Sequence, residues 1–403
     1  MAKTVAIIGA FDTKGEELAF IKAEIEKRGC NTFTINVGTL GEGTFKLDVS
    51  ADVVAAAGGA KLSELAAAKD RGKAMEVMTK GAAVVAKKLY EEGKFDGMIS
   101  IGGSGGAGVG TSAMRALPVG VPKLMVTTVA SGDTAPYVGT VDITMMPSIV
   151  DVSGLNRISR TIFTNAAGAI CGMVSGEVSK AKDEKPLIAA SMFGNTTRAV
   201  DNARKMMEDA GYEVLVFHAT GTGGKTMEKL IETGYFAGVL DITTTEWADE
   251  VAGGVLTAGQ TRLEAAAKAG VPQVVTPACI DMANFWAPET IPAEFKDRKF
   301  YQHNPNVTLM RTNVEENAKM GKIFAEKLNM ATGPITVFIP MGGFSEIDFP
   351  GKSFWWPEAN KAFVDALKKD LRKDIPVVMS DKDVNDPEFS SMVAKKLLEY
   401  LKK

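Results

Sequence analysis

The sequence predicts an α/β protein made of two Rossmann-like lobes, each a mostly parallel sheet flanked by helices. Three observations carry that prediction. Short apolar runs alternate with longer helical patterns, the order that a parallel sheet covered by helices produces. Glycines number 41 in 403 residues, above the usual ~7%, and gather directly after the apolar runs instead of spreading as low complexity. The second half of the chain also repeats a spacing of the first, with Phe11 and Gly29, like Phe193 and Gly211, 18 positions apart.

Taken in order, the run 4–8 reads as a first strand that opens into the turn Phe11, Asp12, Thr13, Lys14 and a helix over 16–28. A long helical pattern covers 75–90, and the runs 98–101 and 123–127 read as further strands. Over 156–173, Ile158, Ile162, Ala166, Ala169 and Met173 recur at steps of three and four, with Ser153 as the expected cap. The charged stretch Lys182, Asp183, Glu184, Lys185 ahead of Pro186 places a domain boundary near residue 183. This divides the chain into an N-terminal nucleotide-binding lobe, 1–182, and a C-terminal Rossmann-like lobe, 183–403. The second lobe begins with a strand at 187–191 and the turn Phe193, Gly194, Asn195, Thr196, the counterpart of the turn at Asp12.

Composition excludes several function classes. A charged fraction of 24% and a formal net charge of -3 offer no basic surplus for nucleic acid or an anionic membrane. Three scattered cysteines and two histidines assemble neither a disulfide framework nor a zinc site. No window of about 18 uncharged apolar residues exists and the amino terminus has no signal-peptide profile, so the expectation is a soluble, cytoplasmic protein.

The strongest chemical signal is Gly102, Gly103, Ser104, Gly105, Gly106, followed by Gly108, directly after the strand at 98–101 and ahead of a helix-compatible segment, 111–117. Glycines there let backbone N–H groups approach an anion, and a following helix points its positive end at it. The alternative is a tight strand-to-helix crossover that needs glycine only for packing. A dinucleotide fingerprint also wants an acid at the end of the next strand, and this chain has Thr127 and Thr128 there, which disfavours a NAD-dependent oxidoreductase. Thr127, Thr128, Ser131 and Gly132 close the next strand, and with Asp12, Thr13 and Lys14 they join the expected phosphate site. Lys14 would offset phosphate charge and Asp12 or Asp133 would hold Mg²⁺; the alternative for either aspartate is a helix or turn cap.

In the second half, the turn from Ala219 through Gly221, Thr222, Gly223, Gly224, Lys225 and Thr226 resembles a P-loop but lacks its first glycine, so it reads as a second anion site without assigned phosphate or metal roles. Thr244, His303, Asn304 and Ser345 lie at strand ends or loops as further polar groups of that second site. No nucleophilic triad is recognisable; His303, Glu246 and Asn284 are the catalytic candidates.

The strings Gly102 to Gly106, Thr127 to Tyr137, His218 to Gly221, Asp241 to Glu246 and His303 to Pro305 resemble the ATP-binding region of the tomato mosaic virus resistance proteins and their bacterial relatives, over essentially the whole chain. The resemblance implies a homodimeric ATP-binding module of two Rossmann-like subdomains. Plant members carry a further C-terminal barrel that this chain lacks, and their antiviral role is not implied. The expected ligands are therefore ATP and Mg²⁺, with the second lobe closing over the nucleotide. The alternative is an ATP-dependent transferase or ligase acting on a small metabolite between the lobes.

Overall fold

The structure, a computed structural model, describes residues 2–41, 47–177 and 184–402. Contacts divide the chain into two units, Met1–Ser179 and Lys180–Lys403. The boundary expected near residue 183 lies outside the described residues.

The N-terminal unit runs β1 (Thr4–Gly9), α1 (Gly15–Glu26), β2 (Asn31–Asn36), α2 (Ala51–Ala57), α3 (Leu62–Ala68), α4 (Arg71–Glu91), β3 (Gly97–Gly102), α5 (Ser104–Arg115), β4 (Lys123–Thr127), α6 (Ala135–Val138), β5 (Thr144–Pro147) and α7 (Arg157–Ser175). Its five strands are all parallel in the order β2-β1-β3-β4-β5. Side chains alternate across each strand, so Val5, Ile7, Ile99 and Val126 pack on α1 and α7. Ala6, Ile8, Met98 and Met125 pack on α4 and α5. Burial on both faces is why these strands read as unbroken apolar runs.

Two local expectations are corrected. The cap of α7 is Asn156, not Ser153: its Oδ1 accepts the N–H groups of Ile158 and Ser159, both at 2.9 Å, while Ser159 Oγ accepts that of Asn156 at 2.8 Å. The glycine run is not a loop ahead of a helix at 111, because α5 already starts at Ser104 and Gly105, Gly106, Gly108 and Gly110 are helical. Glycine is required there by close approach. A Cβ on Gly110 would lie 2.5 Å from Ser100 Oγ, and one on Gly102 2.9 Å from Gly106 Cα. Of α7, Ala166, Ala167, Ile170 and Cys171 are buried in the core of their own unit, while Ile158 and Met173 of the expected stripe are exposed.

The C-terminal unit runs β6 (Leu187–Met192), α8 (Thr197–Asp209), β7 (Glu213–His218), α9 (Thr222–Glu232), β8 (Gly238–Thr243), α10 (Glu246–Ala252), α11 (Ala265–Ala269), β9 (Gln273–Ala278), β10 (Met282–Phe285), β11 (Phe300–Asn304), β12 (Val307–Arg311), α12 (Val314–Leu328), β13 (Ile335–Pro340), α13 (Pro357–Asp370), β14 (Val377–Ser380) and α14 (Pro387–Leu401). Six parallel strands form one sheet, β14-β13-β9-β8-β6-β7, and β10-β12-β11 form a small antiparallel sheet. Read from its β7 edge, the large sheet has the winding of the first unit with one strand added, so the matched spacing around Phe11 and Phe193 reflects matched topology. Both sheets follow the flavodoxin-type doubly wound order, whose switch point lies between the first and third strands. Among the described residues no helix is long and apolar enough to cross a membrane.

Candidate functional site

At the switch point of the N-terminal unit, a cavity of about 790 Å³ opens over the carboxyl ends of β1, β2 and β3. Its wall carries Asp12, Thr13 and Lys14 after β1, Gly38 and Leu40 after β2, and Gly102 to Gly106 after β3. This is where doubly wound sheets place ligands, because adjacent connections leave toward opposite faces and part there.

The first turn of α5 forms the polar end of the cavity. Gly103 precedes the helix in extended backbone, no side chain caps it, and the first turn holds no acid. The leading N–H groups of a helix have no intrahelical acceptor and carry its positive dipole end, so this turn favours an anion. A Cβ on Gly105 would meet Met75 Cε at 3.5 Å and Arg71 Nη2 at 3.7 Å, both residues of the cavity wall.

The turns after β1 and β2 are fastened together. Asn36 Oδ1 accepts the N–H of Phe11 at 3.1 Å and of Gly38 at 2.9 Å, and Asp12 Oδ2 accepts that of Leu40 at 2.7 Å. Asp12 Oδ1 is buried and has no partner among the described residues. A Cβ on Gly38 would fall 2.3 Å from it, so glycine is what lets the second turn close over this carboxylate. The Lys14 ammonium donates to the carbonyl of Val152.

Thr127, Thr128, Ser131 and Gly132 lie off the cavity wall. Thr127 Oγ1 accepts the N–H of Val129 at 3.3 Å, and Ser131 and Gly132 are exposed. Asp133 also lies off the wall, its Oδ1 accepting the N–H of Ala135 at 3.0 Å. Sequence reasoning missed Lys69 and Arg71, and the apolar wall formed by Val37, Leu65, Met75 and Met78. The available signal was Asp70 just ahead of a helical pattern; it accepts the N–H of Lys73 at 3.0 Å as the cap of α4.

In the C-terminal unit the P-loop-like turn already holds an anion of the protein itself. Glu246 Oε1 accepts the N–H of Gly221 at 2.7 Å and of Gly224 at 3.1 Å. Its Oε2 takes Arg262 Nε at 2.7 Å, and Arg262 also binds Asp241 at 2.5 and 2.6 Å and Glu228 at 3.1 Å. Arg262 is 1% exposed, and burial pushes the Glu228 carboxyl above its usual range despite that guanidinium. Thr222 is exposed at the start of α9, and Gly223 packs so tightly that a Cβ would lie 1.8 Å from the His218 carbonyl.

The other second-site residues separate. Thr244 is buried with its hydroxyl on the Thr276 carbonyl at 3.0 Å, and buried Ser345 donates to Asp281 at 2.8 Å. His303 and Asn304 are exposed on β11, an edge strand of the antiparallel sheet. Asn284 is buried against Asp249, whose carboxyl burial raises to about 7. Among the described residues no group of three His, Cys, Asp or Glu is placed to hold a metal ion.

Comparison with known proteins matches residues 3–179 to the N-terminal domain of uncharacterised protein family UPF0261 and residues 185–401 to its C-terminal domain. The chain is 52% identical over 404 residues to a UPF0261 protein of Clostridium tetani, covering 100% of both chains. It is 42% identical over 394 residues to one of Mesorhizobium japonicum, covering 97% of this chain and 98% of that one. It is also 38% identical to the ToMV susceptible protein tm-1 of Solanum lycopersicum, covering 98% of this chain and 55% of the tomato protein. A solved UDP-N-acetylglucosamine 2-epimerase of Rickettsia bellii aligns over 100% of this chain and 96% of its own at 11% identity, with a TM-score of 0.24, too low to carry an argument.

Proposed function

The chain belongs to the UPF0261 family, and from that premise we propose that its N-terminal unit is a nucleotide-binding module with ATP as its ligand. One observation carries the reading: a large cavity at the switch point joins an uncapped, glycine-built helix N-terminus to an apolar wall. The helix end suits phosphate and the apolar wall suits a base. A divalent ion fits only as a companion of the nucleotide. Asp12 has one carboxylate oxygen unpartnered among the described residues, and Mg²⁺ is commonly held by one or two carboxylates together with substrate phosphates.

Calorimetric titration with ATP, ADP and NAD tests the reading. ATP is expected to bind and NAD not. In a Gly105→Val variant that keeps its circular dichroism spectrum, the valine fills the space between α5 and Arg71, and affinity for ATP should fall at least about tenfold, or about 1.4 kcal/mol. Unchanged ATP affinity in that variant would overturn the assignment.

A further inference from the structure

We propose that Cys30 and Cys171 are a redox pair, which a small disulfide oxidant converts into a bond fastening the corner between α1 and β2 to α7. The proposal is independent of what the cavity binds, because it concerns the far ends of two helices whose near ends stand at the cavity.

The two cysteines are 141 positions apart in sequence and share one apolar core. Cys30 directly precedes β2, where Gly29, at φ 83, turns the chain back from α1. Cys171 lies on α7, and its thiol donates to the carbonyl of Ile25, in the last turn of α1, at 3.9 Å. The Cys30 thiol stands within hydrogen-bonding reach of it. One turn earlier on α7, a Cβ on Gly168 would lie 3.6 Å from Arg28 Nε, so the end of α1 rests on α7 at residues 168 and 171. At the cavity end the same two segments are already joined: Lys14 donates to the Val152 carbonyl, and Glu17 Oε1 accepts the N–H of Gly154 at 2.7 Å. A disulfide pins the far end as well, and so fixes the helix pair that covers one face of the sheet.

Both thiols are free and 7% exposed, whereas Cys279 is 0% exposed, so a small uncharged oxidant reaches the pair and not the third cysteine. Burial and the neighbouring Cys30 push the Cys171 thiol up to about 12, which keeps it protonated. The first attack therefore falls to Cys30: its thiolate bonds to one sulfur of the oxidant and expels the other as a thiolate. Cys171 then gives up its proton, attacks the Cys30 sulfur and expels the second thiolate. The protein loses two protons and two electrons, and the oxidant leaves as two thiols that carry those protons. Closing so long a loop restricts the unfolded chain, so the bonded form is the more stable one.

Treatment of the folded full chain with excess hydroxyethyl disulfide, an acid quench and peptide mass mapping test this. Wild type should yield a Cys30–Cys171 linked peptide, lighter by two hydrogens than the sum of its parts, with Cys279 still free. Scanning calorimetry should place the melting temperature of the oxidised chain several degrees higher, and dithiothreitol should return it to the starting value. Cys30→Ser and Cys171→Ser should each give no link and no rise, and in Cys171→Ser the Cys30 thiol should retain a hydroxyethyl mixed disulfide. A wild-type chain that stays reduced, or that carries hydroxyethyl groups on Cys30 or Cys171 without a link, overturns the proposal. A link that involves Cys279, or an equal rise in either variant, overturns it too. The wild-type peptide map decides by itself if a variant does not fold.

Discussion

Asp249 makes the stability of the C-terminal unit depend on pH in a direction that can be worked out from its surroundings. The residue is 1% exposed, and burial lifts its carboxyl from 3.8 to about 7, against the pull of the Asn284 hydrogen bonds. Its Oδ1 accepts the backbone N–H of Asn284 and its Oδ2 the side-chain amide, both at 2.7 Å. Asn284 Oδ1 is buried without a partner among the described residues. Protonation relieves the desolvation of this buried charge. An acid whose pKa is raised on folding binds more protons in the native state, so the stability it contributes is whole below pH 3.8 and is lost as pH rises through about 7. A shift of about three units, at about 1.4 kcal/mol per unit, makes that loss about 4 kcal/mol. Asp249→Asn copies the protonated shape without the charge. Urea unfolding of both proteins between pH 4 and 8 should give curves that nearly meet at pH 4 and separate to about 4 kcal/mol at pH 8, the variant being more stable. Asp348, raised to about 7 by burial and by Asp281, titrates in both proteins and cancels in the difference. Trp247, Trp286, Trp355 and Trp356 all lie in the C-terminal unit, so tryptophan emission follows that unit alone. Parallel stability curves across this range would refute the argument.

Two further outcomes follow from close packing and buried charge in the same unit. Arg262→Met leaves Asp241, Glu246 and Glu228 together without their cation, and should cost about 3–5 kcal/mol, read as a lower urea midpoint by tryptophan emission; an unchanged midpoint would contradict the pairing. A Cβ at Gly321 would lie 2.3 Å from the Phe363 carbonyl and 2.9 Å from Ala366 Cβ, so Gly321→Ala must push α12 from α13 at about 1–3 kcal/mol, and calorimetry should show a lower melting temperature.

The fold was legible because its main signals are local. A strand buried on both faces is apolar through its middle, so Leu124, Met125 and Val126 make the run 123–127 a strand in sequence and in structure alike. Glycines after the run 98–101 located the turn beside the cavity, since anion approach and close packing both demand them at that place. The helical state of those glycines was not legible: glycine is a poor helix former, and α5 exists because its face packs on β3 and β4 with room for no side chain at Gly110. Spatial meetings decided the rest. The turn at Gly221 looks like an anion site in sequence, and only the fold brings Glu246, 25 positions away, to fill it. No motif marks Arg262, which tertiary structure encloses among three carboxylates. Arg71 meets the helix start at Gly105 from more than 30 positions away, across a crevice created by the reversal of strand winding. Sequence by itself determined the strands expected at 4–8, 98–101, 123–127 and 187–191 and the long helices expected at 16–28, 75–90 and 156–173, because those follow from the local alternation of apolar, polar and small residues. Which charges face an open cavity and which are neutralised inside was decided by tertiary structure alone, because that depends on groups distant in the chain coming within hydrogen-bond reach.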